Sequence, residues 1–380
     1  MRRLLATVAL AAAGLAGCGL LEDVSRGGRV IGTTLTVYSL LPQPGQGDAR
    51  DIVDGEKLAL LDAGGRVVPY TINFVSIAEG ETRGAAKGAL ALREAIADPQ
   101  VMALIGPAGS EAATATVPLF NAAGILEVTP GAGYPGFTEA VVSGEPERWQ
   151  PSGRRTLARL VGDDIAQAKA LLAAARAATG RREPSVVIEQ EPGAVADALV
   201  AALREAGARV VEDAARADAV VYAGEDPEGA AGVAGALARE APGAAVVLPD
   251  AVTRAGVAGR LSSAARRRAV LVSSAPEPAS TPALRIFEAV FREQFGRAPG
   301  PYAAVGYEAM RGVLAAIRRA GARAGSRQAV IDAYFDPAAT RGSLLGASRL
   351  APSGGREPAA FTAFRPGGAG GGRPVYLDLR

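Results

Sequence analysis

The chain has 380 residues, of which 49% are hydrophobic, and its 41 Lys and Arg nearly balance its 39 Asp and Glu. It has no His and one Cys, which excludes Ser-His and Cys-His dyads, His metal sites and disulfides within the chain. This charge balance gives no support for nucleic acid binding, which needs a clustered basic surface. The length predicts two domains of ordinary size, each with an apolar core.

The first 17 residues have the pattern of an export signal. Residues 1–3 carry two Arg, residues 4–14 are apolar, and small residues precede Cys18. The apolar run is shorter than the ~20 residues of a transmembrane helix, so a permanent membrane span is not expected. Removal of residues 1–17 would leave the mature chain neutral.

The order Leu-Ala-Gly-Cys at 15–18 resembles the lipobox of bacterial lipoproteins. The resemblance implies that Cys18 becomes the new N-terminus, carries a diacylglycerol and anchors the protein to a membrane. Residues 18–32 would then be a polar tether. The alternative is a chance Cys at the end of an ordinary signal.

The next part of the chain alternates β-rich runs with Ala- and Leu-rich helical patterns, which is typical of βαβ units around parallel sheets. Strands are predicted at 33–40, 70–77, 101–107 and 124–130. Helices are predicted near 50–63, 84–98 and 110–123.

Residues 131–155 are rich in Gly and Pro and lack periodicity, which predicts a connection between two α/β units. The alternation then restarts, with strands predicted at 156–161, 185–190, 217–224, 244–250 and 268–274. Helices are predicted between them near 163–179, 193–207, 226–241 and 253–266.

A second Pro-rich connection at 275–282 precedes a block of helices near 283–296, 301–320 and 326–335. Short strands are then expected around 361–366 and 374–379. Because a helical block without its own strands must pack on an existing sheet, these helices are expected on the first unit and the final strands on the second.

The segments 37–65, 96–138 and 302–321 resemble type I periplasmic binding proteins of the leucine/isoleucine/valine-binding kind, in an order and spacing that match most of the mature chain. The resemblance implies an α/β fold of two Rossmann-like lobes, joined by a three-crossover hinge, with a ligand cleft between them. Lobe 1 would contain 33–140 and 283–338, and lobe 2 would contain 155–275 and 350–380. The hinge crossovers would lie at 141–154, 276–282 and 339–349.

The turn before the helix at 110–123 is the first candidate site. Gly109, Ser110 and Glu111 present free backbone N–H groups at a helix N-terminus, where an anion fits. The resemblance implies that Ser110 holds the α-carboxylate of an amino acid together with neighbouring amides. The alternative is that Ser110 only caps its helix.

The loop that follows the strand at 124–130 is the second candidate. Backbone groups of Gly131 and Ala132 are expected at the cleft, while Gly133 stands where the family usually has a Thr or Ser hydroxyl. The loop also matches G-x-G-x-x-G, but the adjacent prolines and the lack of a following helix make a dinucleotide site a weak alternative.

Asp250 ends a predicted strand of the second unit and aligns with the acidic residue that pairs with the ligand's ammonium in the family. The alternative is that it caps the following helix. Glu225 and Asp226 stand where the family often has aromatic residues, and Gln46 stands where Trp or Tyr is common. These changes predict a more polar pocket, in which Tyr134 could contact the ligand or could simply pack.

These features predict a membrane-anchored, extracytoplasmic solute-binding protein that performs no chemistry, needs no cofactor or metal and is a monomer. It would capture a branched-chain or other small amino acid by lobe closure and deliver it to an ABC permease. The alternative is a ligand-sensing or partner-docking lipoprotein on the same fold, with an altered or lost amino-acid site. A paired-carboxylate glycosidase is disfavoured by an aromatic content of only 5%.

Overall fold

The structure is a computed structural model that describes residues 28–41, 49–78, 85–339, 344–347, 349–351, 353–367 and 374–379. The predicted anchor Cys18 and the candidate Gln46 lie outside the described residues. Among the helices of the described part, none combines the length and apolar content needed to cross a bilayer.

The first sheet contains the first six strands of the chain, which are β1 (Thr34–Leu41), β2 (Arg66–Val67), β3 (Tyr70–Ala78), β4 (Val101–Ile105), β5 (Leu126–Thr129) and β6 (Leu157–Arg159). Their order is β2-β3-β1-β4-β5-β6, and all neighbours are parallel except β2 and β3. The helices among these strands are α1 (Ala49–Asp62), α2 (Ala85–Ala97) and α3 (Ser110–Ala122). The continuous apolar run of β4 is fully buried, as expected for a parallel strand that is covered on both faces.

The second sheet has the order β15-β14-β11-β10-β9-β7-β8. Its strands are β7 (Ser185–Gln190), β8 (Arg209–Val210), β9 (Ala219–Ala223), β10 (Ala245–Leu248), β11 (Ala269–Ser273), β14 (Thr362–Arg365) and β15 (Val375–Leu377). The last two run antiparallel to their neighbours. Its helices are α4 (Asp164–Thr179), α5 (Ala194–Glu205), α6 (Pro227–Glu240), α7 (Asp250–Arg254) and α8 (Ser263–Arg266).

Three further helices, α9 (Pro282–Phe295), α10 (Ala303–Ala320) and α11 (Arg327–Tyr334), share one apolar core with the first sheet. We call this body, with α1–α3, the first lobe, and the second sheet with α4–α8 the second lobe. A short antiparallel pair, β12 (Arg349–Leu350) and β13 (Arg356–Glu357), lies before β14. The molecule is thus a two-lobed α/β protein with two largely parallel sheets, as the sequence predicts.

The strand predicted at 156–161 does not open the second lobe. It forms β6, which pairs with β5 in the first sheet, and the Arg159 N–H donates to the Gly354 carbonyl at 2.9 Å. The preceding Gly- and Pro-rich segment is therefore not an interlobe connection. Tyr134, Phe137 and Trp149 pack edge to face there, at 5.2–6.4 Å between ring centroids. Their apolar cluster contains residues of both lobes, which are Ala113, Val117 and Leu157 of the first and Val195 and Ala198 of the second.

The chain crosses between the lobes at 160–163, 274–281 and 358–361. The second crossing agrees with the predicted 276–282. The first follows β6 and not 141–154. The third follows β13, because Leu344 and Leu345, within the predicted crossover 339–349, belong to the core of the first lobe.

The helix predicted at 253–266 is divided in two. Gly256 has a φ of 79° and ends α7, so that α8 forms separately. In addition, α7 begins at Asp250, three residues earlier than predicted. This start places Asp250 and Arg254 one turn apart on the same helix face.

Helices α1 and α10 cross in backbone contact because each has a glycine at the crossing. A Cβ at Gly306 would lie 2.0 Å from the Ile52 carbonyl oxygen, and one at Gly55 would lie 2.0 Å from that of Ala303. Neither helix can accept a side chain there without moving its partner. Since both helices cover the first sheet, this crossing fixes the packing of the first lobe.

We expect Gly306→Ala to destabilise the protein by about 3 kcal/mol, because the added methyl group must separate two helix backbones. Gly235→Ala in α6 is the matched control. A Cβ at Gly235 meets nothing within 4 Å, so this change should stabilise its helix by up to about 1 kcal/mol. Urea unfolding of both variants measures the difference, and equal effects would contradict this account of the crossing.

Candidate ligand-binding site

A cleft lies where the carboxyl ends of β4 and β5 of the first lobe face those of β9 and β10 of the second. Ser110, Gly131 and Gly133 line it from the first lobe, and Asp164, Glu225 and Asp250 line it from the second. Ligands of open α/β sheets bind in such crevices at strand carboxyl ends. An apolar wall completes the cleft and consists of Val161, Val195, Ala196, Leu199 and Phe361.

The N-terminus of α3 holds a carboxylate that belongs to the protein itself. The backbone N–H of Ser110 donates to Glu225 Oε1 at 2.7 Å, and that of Glu111 donates to Oε2 at 2.9 Å. A Cβ at Gly109 would lie 2.8 Å from Oε2, so the glycine leaves room for the carboxylate. Free amides and the helix dipole both favour an anion at this point.

The backbone N–H groups of the loop after β5 donate hydrogen bonds to side chains of the first lobe. The Ser110 hydroxyl accepts from the N–H groups of Gly133 and Tyr134 at 3.1 and 3.2 Å. The Thr129 hydroxyl accepts from those of Gly131 and Ala132 at 3.1 and 2.8 Å. These four donors are therefore already engaged, and the loop is held as a fixed wall of the cleft.

Gly133 lies against the second lobe. Its carbonyl accepts from the Asp164 N–H at 2.9 Å, and a Cβ there would lie 2.6 Å from Asp164 Oδ1. A Thr or Ser at this position would push α4 away. The missing hydroxyl is thus replaced by a direct contact with the second lobe.

Arg254 places a buried cation between the two lobes, beside the lining residue Asp250. Its guanidinium, only 5% exposed, pairs with Asp250 and donates to the carbonyl oxygens of Ala108 and Gly131 in the first lobe. The Asp250 carboxylate also accepts from the Ser274 N–H and the Tyr302 hydroxyl, both at 2.6 Å. Burial, with the charge of Asp250, raises the pKa of Tyr302 and keeps its hydroxyl a donor.

Asp164 is a buried carboxyl group without a directly bonded cation among the described contacts. Gln167 Nε2 donates to its Oδ1 at 2.7 Å, and Gln167 Oε1 in turn accepts from the Asp250 N–H at 2.9 Å. Burial and the nearby charge of Glu225 raise the pKa of Asp164 to about 7, while Arg159 opposes the rise. The site can therefore change its charge near neutral pH.

Solved structures of similar shape share the arrangement of both lobes. A leucine-binding protein, LivK, from Thermotoga maritima has a TM-score of 0.72 and 18% identity, over 90% of this chain and 98% of its own. A solute-binding protein of an R. palustris ABC transporter, in complex with benzoate, has a TM-score of 0.69 and 19% identity, over 90% of this chain and 96% of its own. The branched-chain amino acid binding protein LivJ from Streptococcus pneumoniae, in complex with isoleucine, has a TM-score of 0.67 and 15% identity, over 91% and 100%.

The chain has the fold of the type I periplasmic binding proteins. No protein-family model matches it, and no curated protein matches it in sequence. Identities this low establish the architecture, and the chemistry of the cleft must be judged from its own residues.

Two predicted ligand contacts lie elsewhere in this type I fold. Asp226 is exposed and caps α6 by accepting from the N–H groups of Glu228 and Gly229, at 3.1 and 3.0 Å. The sequence Asp-Pro-Glu at 226–228 already carries the N-cap and N1-proline signal. Tyr134 donates its hydroxyl to Glu145 at 2.8 Å within the aromatic cluster, so it packs and does not line the cleft.

Other predicted residues do meet at the cleft. Ser110, Gly131, Gly133 and Asp250 line it, Gly109 borders it, and Ala132 is buried in the wall behind it. Sequence reasoning missed Arg254, Asp164 and Gln167, and it noted Glu225 only as a departure from the family. The i, i+4 spacing of Asp250 and Arg254 was the available signal, and it was hidden by the late helix start.

We expect Asp164→Asn to flatten the pH dependence of stability. Because folding raises the pKa of Asp164 from 3.8 to about 7, the folded protein should lose stability as pH rises through this window, by at most about 1.4 kcal/mol per pH unit. The Asn variant should lack this part of the loss. Urea unfolding at pH 5 and pH 8 measures it.

Asp163→Asn is the matched control, because Asp163 is the neighbouring carboxylate and Asn retains its capping of α4. The buried Glu56 and Glu127, whose pKa values burial raises to about 8, remain in every variant and cancel from the comparison. A slope in Asp164→Asn equal to that of the wild type would show that Asp164 is ionised in the folded protein throughout.

Proposed function

We propose that this chain is an extracytoplasmic solute-binding protein, which captures a small molecule between its lobes and delivers it to an ABC permease. The single observation that carries the proposal is the carboxylate held by the Ser110 and Glu111 amides at the centre of the cleft. It indicates that the site accommodates a carboxylate with full hydrogen bonding. No bond is made or broken in this role.

The proposed solute is a small amino acid with an apolar side chain. Its carboxylate would replace that of Glu225 on the α3 amides, and the displaced Glu225 and Asp164 would supply negative charge for an ammonium group. The apolar wall from Val161 to Phe361 suits an aliphatic body. Leucine, isoleucine and benzoate, which the similar solved structures are named for or contain, share a carboxylate with an apolar body.

A second candidate is a sensing or partner-docking protein on the same fold. The observation that favours it is that Glu225 and Arg254 occupy the places where the resemblance puts the ligand's carboxylate and ammonium. If no solute displaces them, the lobes act as one closed body, and function must come from another surface.

We further propose that Cys18 carries lipid and holds the protein at the outer face of a cell membrane as a monomer. The support is the signal pattern of residues 1–17 and the polar tether that follows. A diacylglycerol with a further acyl chain gives stable attachment.

We expect at least one amino acid to raise the thermal unfolding temperature of the full chain. A ligand at about 100 times its Kd stabilises by about 2.7 kcal/mol, which corresponds to several degrees for a protein of this size. The panel contains free amino acids, the matching carboxylic acids without the amino group, short peptides, amides and sugars. Differential scanning fluorimetry gives the shift, and isothermal titration gives the affinity.

Ala251→Phe tests whether the shift arises in the cleft. Ala251 lines the cleft, so a phenyl group there should block the solute and abolish the shift. Ala255→Phe, one turn further along and outside the lining residues, should retain it. If no panel member shifts the wild type, the capture proposal fails and the second candidate replaces it.

We expect Cys18→Ser to abolish incorporation of a clickable palmitate analogue in a bacterial host and to release the protein from the membrane fraction. Adding Ser25→Cys to that variant restores a thiol at the wrong position, and neither labelling nor membrane attachment should return. In-gel fluorescence and fractionation give both readouts. Equal labelling of the wild type and Cys18→Ser would exclude Cys18 as the attachment site.

A further inference from the structure

We propose that Glu225 and Arg254 act as a built-in ligand that closes the two lobes without solute, so that a solute binds only by displacing Glu225 from α3. We call the contacts of these two side chains with the first lobe the interlobe clasp. The displacement part rests on the proposed function, whereas closure without solute does not.

The carboxylate half of the clasp is held in place by its own lobe. The Glu191 carboxylate accepts from the N–H groups of Glu225 and Asp226, both at 2.9 Å, and also from the Tyr222 hydroxyl. A Cβ at Gly224 would lie 2.2 Å from Glu191 Cδ, so the turn requires this glycine. The backbone of Glu225 is thus fixed so that the side chain reaches the opposite lobe.

The cationic half is fixed from both lobes. Asp250 orients Arg254, and Asp250 is oriented by the Ser274 N–H and by the hydroxyl of Tyr302, which belongs to the first lobe. The guanidinium then reaches two carbonyl oxygens of the first lobe, those of Ala108 and Gly131. Its pair with Asp250 lies within the second lobe, whereas its two bonds to these carbonyl oxygens exist only while the cleft is closed.

The first lobe is shaped to receive both side chains. Gly109 leaves room for the Glu225 carboxylate, and a Cβ at Gly131 would lie 2.4 Å from Arg254 Cζ. Two glycines therefore stand opposite the two charged groups, at the ends of two different strands. The space at these glycines of the first lobe fits the two side chains of the second lobe. This fit indicates a closed state in which the contacts of Glu225 and Arg254 replace those of a ligand.

Competition follows from geometry. A solute carboxylate and the Glu225 carboxylate cannot both accept from the Ser110 and Glu111 amides. The apparent affinity for such a solute is the intrinsic affinity multiplied by the fraction of molecules in which Glu225 has left α3. It is therefore low when this fraction is small. Removing the Glu225 carboxylate should therefore weaken closure without solute and should tighten the binding of a carboxylic acid that has no ammonium group, because such a solute loses a competitor and no partner.

The decisive test uses no solute. The wild type, Glu225→Ala and Glu228→Ala are prepared as full chains with Cys18→Ser and dialysed exhaustively. Glu228 is the matched control, because it is a carboxylate in the first turn of α6 that pairs with Arg260 inside the second lobe. Hydrogen exchange of the first turn of α3 and the radius of gyration from X-ray scattering are the readouts.

In the wild type and Glu228→Ala we expect a compact particle and slow exchange of the Ser110 and Glu111 amides. In Glu225→Ala we expect a larger radius of gyration and exchange of these amides that is about tenfold faster or more, while the first turn of α9, capped by Thr281, stays unchanged. Glu225→Gln keeps an acceptor without the charge and should fall between them. If Glu225→Ala does not fold, Glu225→Gln is the variant that is compared with the wild type.

Two results would overturn the proposal. One is a wild type that is already expanded without solute, with fast exchange at Ser110 and Glu111. The other is Glu225 variants that match the wild type in both readouts. Neither depends on the ligand panel, so failure to find a solute and failure of the clasp are separate outcomes.

Discussion

Among the contacts that close the two lobes, the one that takes the place of a ligand carboxylate is that of the Glu225 carboxylate with the first amides of α3. Parallel strands bring helix N-termini to the cleft edge of each sheet, where the free N–H groups attract an anion. In this chain the anion is covalently part of the opposite lobe, at 2.7 and 2.9 Å from the two amide nitrogens. The helix dipole and the backbone donors therefore both contribute to holding the lobes together, and a ligand must compete with both.

The wall behind this contact is fixed by hydroxyl groups. Ser110 and Thr129 each accept from two backbone N–H groups of the loop after β5. Buried N–H groups that are already paired gain little from a new acceptor, so the loop offers mainly carbonyl oxygens to whatever enters the cleft. Arg254 donates to one of them, that of Gly131, and also to the Ala108 carbonyl, which follows β4. On the proposed function, selectivity among solutes would therefore be set by side chains of the second lobe, above all Glu225, Asp164 and Arg254.

Much of the fold was predictable because its signals are local. Alternating strand and helix patterns, with Gly and Pro at their ends, give most of the longer elements within a few residues, and the α/β class follows from their order. The two-residue strands β2, β8, β12 and β13 were not predicted. Sheet membership was not local: β6 joins the first sheet through pairing with β5, which composition does not reveal. The side chains that face Gly109 and Gly131 across the lobes could not be predicted either, because their contacts are not local in sequence. Glu225 and Arg254 meet residues more than 100 positions away. Only the packed lobes show that Glu225 lines the cleft and that Arg254 bridges the lobes beside it, whereas Asp226 and Tyr134 do not line it.

The fold and the chemistry of the cleft therefore carry different information about function. A type I fold provides two sheets, a hinge and a helix N-terminus at the cleft, and these features are compatible with many solutes. The two charges that a zwitterionic solute would supply, a carboxylate on α3 and a cation beside Asp250, are both present as side chains of this chain. A site that is electrostatically complete without ligand must gain energy elsewhere when a solute enters. On the proposed function, the available sources are the apolar wall, which favours a solute with an apolar body, and the release of the buried Asp164 carboxyl from the field of Glu225, which favours a solute with an ammonium group.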